Sequence, residues 1–113
     1  MMSRVMNNHP HVTVINMRSE LTVDQCDQFR ERALQQLDGS TRHLVLNMAA
    51  LETIDSRGLE TLLDVRDACA AQSGQLRLAA CQEHIAKILE ITRLQHELSM
   101  TPDIDSALHE LAA

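Results

Sequence analysis

The amino-acid sequence predicts one α/β domain over residues 1–113, with a mixed, mostly parallel sheet of four to five strands and about four helices. Strand and helix patterns alternate along the chain, which is typical of parallel strands joined by crossover helices. The helix patterns are amphipathic, so each helix has an apolar face with which to cover a sheet. A chain of 113 residues has the length of a single domain, and two independent cores are not expected.

The first half of the chain contains two strand patterns and one helix pattern. Arg4–Met6 is a candidate short strand, and β-branched residues run along His11–Met17. Thr22 and Gln25 match a capping box, with a hydroxyl at the N-cap and a glutamine three residues later. The helix behind them is predicted from apolar residues at spacings of three and four: Cys26, Phe29, Ala33 and Leu37.

The middle of the chain repeats this alternation. Residues 44–48 are short and almost uniformly apolar, as expected of a strand buried on both faces. A second helix pattern begins near Ser56 and ends before Gly74. Alternating apolar residues at 75–81 then predict the next strand, so the two strands flank a helix in the order of a parallel crossover.

The last third of the chain gives shorter patterns. Apolar residues around Ile85 and Leu89 predict a short helix, and residues 98–100 are a candidate last strand. Asp103 or Thr101 can cap a final helix. The apolar face of that helix is formed by Ile104, Ala107, Leu108 and Leu111.

Composition argues against several classes of function and partner. Ten basic against sixteen acidic residues give a net charge of −6, and the chain has one Phe with no Trp or Tyr. An acidic chain without a basic stripe or aromatic stacking residues is not expected to bind nucleic acid or to insert into a membrane. No secretory signal pattern is present, and three widely spaced cysteines form no disulfide framework, so a cytoplasmic location is expected. These cysteines are interpreted as small buried hydrophobes: Cys26, Cys69 and Cys81.

No enzyme or cofactor motif is recognised in the sequence. The patterns of a nucleophile elbow, a phosphate-binding loop, a dinucleotide fingerprint and a zinc helix are all missing. His9 and His11 are close in sequence, but no further ligand follows at a spacing typical of metals. The sequence therefore predicts a protein that is not an enzyme and has neither a cofactor nor a metal.

The segment Asp55–Gly58 is the strongest candidate site, because it lies where the chain leaves a buried strand and enters a helix. Two interpretations remain open. Asp55 or Ser56 can serve as an N-cap, since side-chain oxygens accept hydrogen bonds from the unpaired amides of a first turn. The same place also suits a phosphoryl group on Ser56, because unpaired N–H groups and the helix dipole favour an anion there.

These residues carry a family resemblance. The stretch from Leu44 to Leu63 resembles the central segment of STAS domains of the anti-sigma factor antagonist type, in which an apolar strand is followed by a loop, D-S-x-G-L and a helix. Segments on both sides are similar to the family as well. They are VINMRSELTVDQCDQF upstream, and SGQLRLAAC, HIAKILEITRL and DIDSALHEL downstream.

The resemblance implies a bacterial regulator of transcription rather than an enzyme. In such members the serine matching Ser56 is phosphorylated by a serine kinase that is also an anti-sigma factor. The unphosphorylated domain binds this kinase and releases the sigma factor, and a phosphatase resets the switch. By this resemblance Asp55 positions the serine or its helix, Gly58 allows close backbone approach, and Asn47 matches the polar residue that ends the central strand.

The implied partner-binding residues are Asp55, Ser56, Arg57, Gly58, Glu20 and Thr22. Two positions depart from the family pattern. Thr22 stands where an acidic residue is usual, and Arg93 stands where a turn often has glycine. The alternative function is therefore a constitutive STAS scaffold, in a stress-signalling assembly or in an ABC-type lipid transport complex. Nucleotide binding is a weaker third option, and the oligomeric state is left open, with a homodimer as one option.

Overall fold

The computed structural model describes residues 4–5, 11–38 and 40–112. These residues form seven strands, four helices and one 3-10 turn at 94–96. In order they are β1 (Arg4–Val5), β2 (Val12–Asn16), β3 (Glu20–Leu21), α1 (Val23–Gln36), β4 (His43–Asn47), β5 (Thr53–Ile54), α2 (Ser56–Ala71), β6 (Leu76–Ala79), α3 (Glu83–Ile91), β7 (Ser99–Thr101) and α4 (Ile104–Ala112).

The main sheet has five strands in the order β1-β2-β4-β6-β7. β1 pairs antiparallel with β2, and all other neighbours are parallel. Each parallel neighbour is reached through one helix: α1, α2 and α3 in turn. The predicted α/β class and the mixed, mostly parallel sheet are confirmed.

Alternate strand residues point to opposite faces of this sheet, and both faces are covered. One face packs Ile15, Leu46 and Leu78 against α1, α2 and α3 in the larger core cluster. The other face packs Val14 and Val45 against α4 in a smaller cluster. Strands covered on both sides read as continuous apolar runs, which is the pattern seen at 44–48.

The structure shows which of the predicted side chains cap the N-termini of α1 and α4. Gln25 Oε1 accepts hydrogen bonds from the Thr22 amide (2.9 Å) and hydroxyl (2.7 Å), so the capping box at α1 is confirmed. Of the two candidates for the last helix, Asp103 caps it, since its Oδ1 accepts from the Ser106 amide at 2.7 Å. Thr101 lies in β7 instead.

The cysteines are free thiols in or beside the core. Cys26 and Cys69 are buried, as predicted, and Cys81 is half-buried against the larger cluster. Burial raises the pKa of both Cys69 and Cys81 to about 11, so these thiols remain protonated at neutral pH.

A second, two-stranded sheet was not predicted. β3 pairs parallel with β5, joining Glu20 to Thr53 and Leu21 to Ile54. Strands of two residues are too short to show a period of two, so no sequence pattern marks them. We call this pair the β3–β5 ribbon, and it positions the candidate site.

Two further expectations concern membranes and metals. Within residues 4–5, 11–38 and 40–112, no helix is long and apolar enough to cross a bilayer. The same residues contain no cluster of three His, Cys, Asp or Glu side chains that could hold a metal ion. His9, named above as a weak metal candidate, lies outside the described residues.

Candidate functional site

The β3–β5 ribbon brings the two halves of the candidate site together. The Ser19 carbonyl accepts hydrogen bonds from the amides of Glu52 (2.8 Å) and Thr53 (3.0 Å). Because β3 and β5 are joined in this way, the segment that contains Glu20 and Thr22 lies beside the segment that leads into α2. The six residues proposed from the sequence therefore occupy one continuous region.

Asp55 connects the elements of this region through its side-chain carboxylate. Its Oδ1 accepts a hydrogen bond from the Gly58 amide at 2.8 Å and so caps α2. Its Oδ2 accepts a second hydrogen bond, of 2.9 Å, from the amide of Val23, the first residue of α1. One carboxylate thus joins the N-termini of two helices, where the helix dipoles favour negative charge.

These hydrogen bonds also set the ionisation of Asp55. The hydrogen bond from the Gly58 amide lowers the pKa of Asp55 most, and the bond from the Val23 amide lowers it further. Together they outweigh partial desolvation, which raises the pKa. The pKa of Asp55 therefore lies below its ordinary value. The carboxylate is ionised throughout the neutral range and holds both helix ends as an anion.

Ser56 is the first residue of α2, and its side chain is exposed. The sequence left open whether Asp55 or Ser56 caps the helix, and the structure assigns that task to Asp55. No hydrogen bond joins the Ser56 hydroxyl to another described residue. The hydroxyl is thus accessible at a helix N-terminus and is not used to build the fold.

At Gly58, the first turn of α2 lies close against β3 and β5. A Cβ at this position would meet the Leu21 carbonyl oxygen and would lie 2.6 Å from Ile54 Cγ1. Both atoms belong to the β3–β5 ribbon, and real Cβ atoms do not approach other atoms so closely. Only glycine lets the first turn of α2 rest against the ribbon.

The polar residues around Ser56 differ in exposure. Glu20 and Arg57 are exposed, whereas Thr22 is half-buried with its hydroxyl directed to Gln25. Arg57 forms no ion pair with any described carboxylate. The surface therefore presents a free guanidinium next to Ser56, with Asp55 and Glu20 nearby.

Sequence reasoning did not single out Val23 for this surface. Its side chain is 59% exposed, although its amide is held by Asp55. A single exposed aliphatic side chain is common on protein surfaces, but here the residue is hydrogen-bonded to Asp55, the neighbour of Ser56 in the chain. Two leucines of α2 close to Ser56 do not belong to this surface, because Leu62 is fully buried and Leu59 packs against the core.

Two side chains from α3 and its N-cap support the loop before β5. Gln82 Nε2 donates to the Ala49 carbonyl at 2.8 Å, and His84 Nε2 donates to the Glu52 carbonyl at 2.6 Å. Asn47, at the end of β4, donates to Asn16 Oδ1 at 2.9 Å and accepts from the Ala49 amide at 3.2 Å. The polar residue ending the central strand thus fastens the loop that leads to the site.

Comparison with known proteins identifies the family. The model of the STAS domain matches residues 3–107. The chain belongs to the STAS domain family. A search of curated proteins finds no match to this STAS domain.

Solved structures share the fold. A Thermotoga maritima protein, provisionally described as an anti-sigma factor antagonist, has a TM-score of 0.87 and 17% identity, covering 99% of this chain and 95% of that one. The Bacillus cell fate determinant SpoIIAA, an anti-sigma factor antagonist, was solved in an unphosphorylated form and in a phosphorylated form. The unphosphorylated form has a TM-score of 0.73 and 18% identity, covering 97% of this chain and 96% of that one.

The fold also occurs within a much larger membrane protein. The murine anion transporter Slc26a9, in its inward-facing state, has a TM-score of 0.80 and 15% identity over 93% of this chain. The matching region is 18% of the transporter chain. The TM-scores show that these proteins share the fold, but sequence identities of 15–18% do not carry a function over to this STAS domain. Its function has to be argued from its own residues.

Proposed function

We propose that this STAS domain is an anti-sigma factor antagonist that works as a phosphorylation switch at Ser56. In its unphosphorylated form it binds an anti-sigma factor serine kinase and frees a sigma factor. Phosphorylation of Ser56 by that kinase releases the domain, and a phosphatase restores it. The domain acts as a cytoplasmic binding module and not as an enzyme.

One observation carries this proposal. Asp55 caps α2, so the exposed hydroxyl of Ser56 has no structural task that would explain it. A kinase can reach this hydroxyl without unfolding the helix, because Ser56 is exposed in the first turn. The fold shared with SpoIIAA, which was solved in a phosphorylated form, supports the same assignment.

The local charges suit a switch of this kind. A phosphoryl group adds about −1.5 to −2 charge, and the N-terminus of a helix tolerates an anion through its free amides and dipole. The exposed Arg57 adds a positive charge beside it. The fold therefore accommodates the phosphate, whereas a partner docked on Ser56 would have to bury a dianion, which is strongly unfavourable without new pairing.

The test begins with the modification itself. The protein is purified from its own host under phosphatase inhibition, and intact and peptide mass spectra are recorded during growth and stress. We expect a phosphate that maps to Ser56 and is absent from Ser56→Ala. An unmodified Ser56 under both conditions contradicts the switch.

Binding of the copurified kinase then tests the consequence. We expect Ser56→Asp to weaken binding by about tenfold or more, because a carboxylate reproduces part of the phosphate charge in the interface. Ser56→Ala should bind whether or not ATP is present. Titration calorimetry measures both variants, and equal affinity of Ser56→Asp, Ser56→Ala and wild type rules the mechanism out.

A constitutive scaffold is the second candidate. Thr22 carries no charge at the position where the resemblance implies an acid, and its hydroxyl is already bonded to Gln25. The occurrence of the fold within an anion transporter also favours a role as a fixed part of a larger assembly. Copurification with an ABC-type ATPase, with Ser56 unmodified, would support this function over the switch.

A further inference from the structure

A half-open pocket of about 160 Å³ lies between β3, the residues before it and α1. Its floor is apolar and consists of Met17, Leu21 and Phe29, each no more than 5% exposed. Phe29 is the only phenylalanine of the chain, which has no tyrosine or tryptophan. The floor of the pocket therefore contains the chain's one phenyl ring.

The rim of the pocket is polar, with two guanidinium groups among its side chains. Arg18 and Arg32 both line it, together with Glu20, Gln25 and Gln28. Neither arginine forms an ion pair with a described carboxylate, although the chain has sixteen acidic residues. Unpaired guanidinium groups beside an apolar floor suit a ligand that joins an aliphatic group to a carboxylate.

The volume limits what can enter. An engineered apolar cavity of about 150 Å³ holds one benzene molecule, so this pocket accepts about one leucine or methionine side chain. A free ligand of that size in a half-open pocket would gain little affinity after its loss of translational freedom. The same side chain carried by a docked protein adds to a larger interface, so a protein segment is the better occupant.

We infer that this pocket receives a leucine- or methionine-sized side chain from an acidic segment of the partner, whose carboxylates lie against Arg18 and Arg32. The inference deepens the proposed function and rests on it, because Glu20 and Leu21 belong to both the pocket and the β3–β5 ribbon. Leu21 also touches the start of α2 at Gly58. The pocket is thus continuous with the surface around Ser56 and selects which partner docks there.

Three short peptides test the pocket without any partner: acetyl-Glu-Leu-Glu-amide, acetyl-Glu-Ala-Glu-amide and acetyl-Lys-Leu-Lys-amide. Each is titrated into the ¹⁵N-labelled protein and followed by amide chemical shifts. We expect the first to shift resonances of Met17–Leu21 and Gln25–Arg32. The alanine peptide should bind about tenfold more weakly because it lacks three carbon atoms of buried side chain, and the lysine peptide should not saturate.

Paired arginine variants test the charge. Arg18→Gln with Arg32→Gln should reduce affinity for the acidic leucine peptide about tenfold or more, since both charged hydrogen bonds are removed. Arg42→Gln is the matched control, because Arg42 is exposed, forms no described ion pair and does not line the pocket. This control should bind the peptide as the wild type does.

Several results would overturn the inference. They are equal binding of the three peptides, shifts outside the pocket, and unchanged affinity in the double variant. Tighter binding of free 4-methylpentanoate than of the leucine peptide would identify a small-molecule site instead. The peptide titrations use neither Ser56 phosphorylation nor the kinase, so they test the pocket separately from the switch. If the peptides fail to bind but kinase binding depends on Ser56, the pocket inference is wrong and the switch stands. If the acidic leucine peptide binds as expected but kinase binding does not depend on Ser56, the switch is wrong and the pocket stands.

Discussion

Asp55 uses its two carboxylate oxygens on two different helices. The bond to Gly58 spans three residues, and a helix-start pattern predicts it. The bond to Val23 spans 32 residues, and no local pattern contains it. At the scale of single residues, the sequence therefore marked Asp55 as a candidate site residue and a possible helix cap but not the way in which it connects α1 with α2.

We expect Asp55→Ala to lower the thermal unfolding midpoint at neutral pH, because two helix N-termini lose their acceptor. The pKa of Asp55 is lowered in the folded state, so its stabilising effect is complete above the unfolded pKa of about 3.9 and is lost as pH falls through the folded pKa. Wild-type and variant midpoints should converge in acid. Ser56→Ala is the neighbouring control, and a constant difference at every pH would contradict this account.

Arg93, which stands where the family pattern often has glycine, has a backbone conformation that favours glycine. Its backbone is left-handed, with φ 64° and ψ 18°, at the start of the 3-10 turn after α3. Glycine adopts this conformation without the strain that a Cβ introduces. The glycine common in the family thus fits the turn better than the arginine found here.

We expect Arg93→Gly to raise the free energy of unfolding by about 0.5–1 kcal/mol, since relief of the left-handed strain exceeds the added freedom of the unfolded chain. Urea unfolding measures the change. Lys87→Gly, in the interior of α3, is the matched control and should lose about 1 kcal/mol. A loss of stability in Arg93→Gly as well would show that the turn does not favour glycine.

At the scale of secondary-structure elements, prediction succeeded where a pattern extends over several residues. The four helices and the longer strands of the main sheet, β2, β4 and β6, have apolar patterns, and α1 and α4 begin at the caps that the sequence marks. The β3–β5 ribbon has two residues in each strand, and its pairing depends on backbone atoms of Ser19 and Leu21. Side-chain patterns do not report such pairing, so the ribbon that joins the two halves of the candidate site was not predicted.

Gly58 tests how tightly the ribbon holds α2. Alanine normally favours a helix over glycine by about 1 kcal/mol, but here its Cβ would collide with Leu21 and Ile54. We expect Gly58→Ala to lower the free energy of unfolding by about 1–3 kcal/mol in denaturant experiments. Gly58→Ala should also speed amide hydrogen exchange at Thr53, whose amide is bonded within the ribbon. If the variant is as stable as the wild type, α2 can move away from the ribbon without loss of stability, which would contradict this account.

At the scale of the whole molecule, His43 links the central strand to its neighbour. It is buried at the start of β4, and its Nδ1 accepts a hydrogen bond of 2.9 Å from the Gln75 amide, just before β6. Burial lowers the pKa of His43, and nearby positive charges lower it further: Arg42, His11 and Arg77. Accepting this bond requires an unprotonated Nδ1, so the sheet prefers the neutral ring.

We expect the protein to lose stability as pH falls below about 6.5, because His43 is then protonated more readily in the unfolded chain than in the folded one. Its stabilising effect is complete above that pH and is lost as pH falls through the lowered folded pKa. Urea midpoints at about pH 8 and about pH 5 measure this loss. His43→Asn keeps an acceptor without a titrating ring, and an equal drop in the variant would assign the acid sensitivity to other groups.

The β3–β5 ribbon has a consequence for the thermodynamics of association. Loops that are disordered before docking lose conformational entropy when a partner fixes them, which weakens binding. Here the backbone of Ser19–Leu21 is already hydrogen-bonded to residues 52–55, and Asp55 ties that segment to α1 and α2. A partner that docks on this face meets a preorganised surface, and most of the contact free energy remains available as affinity.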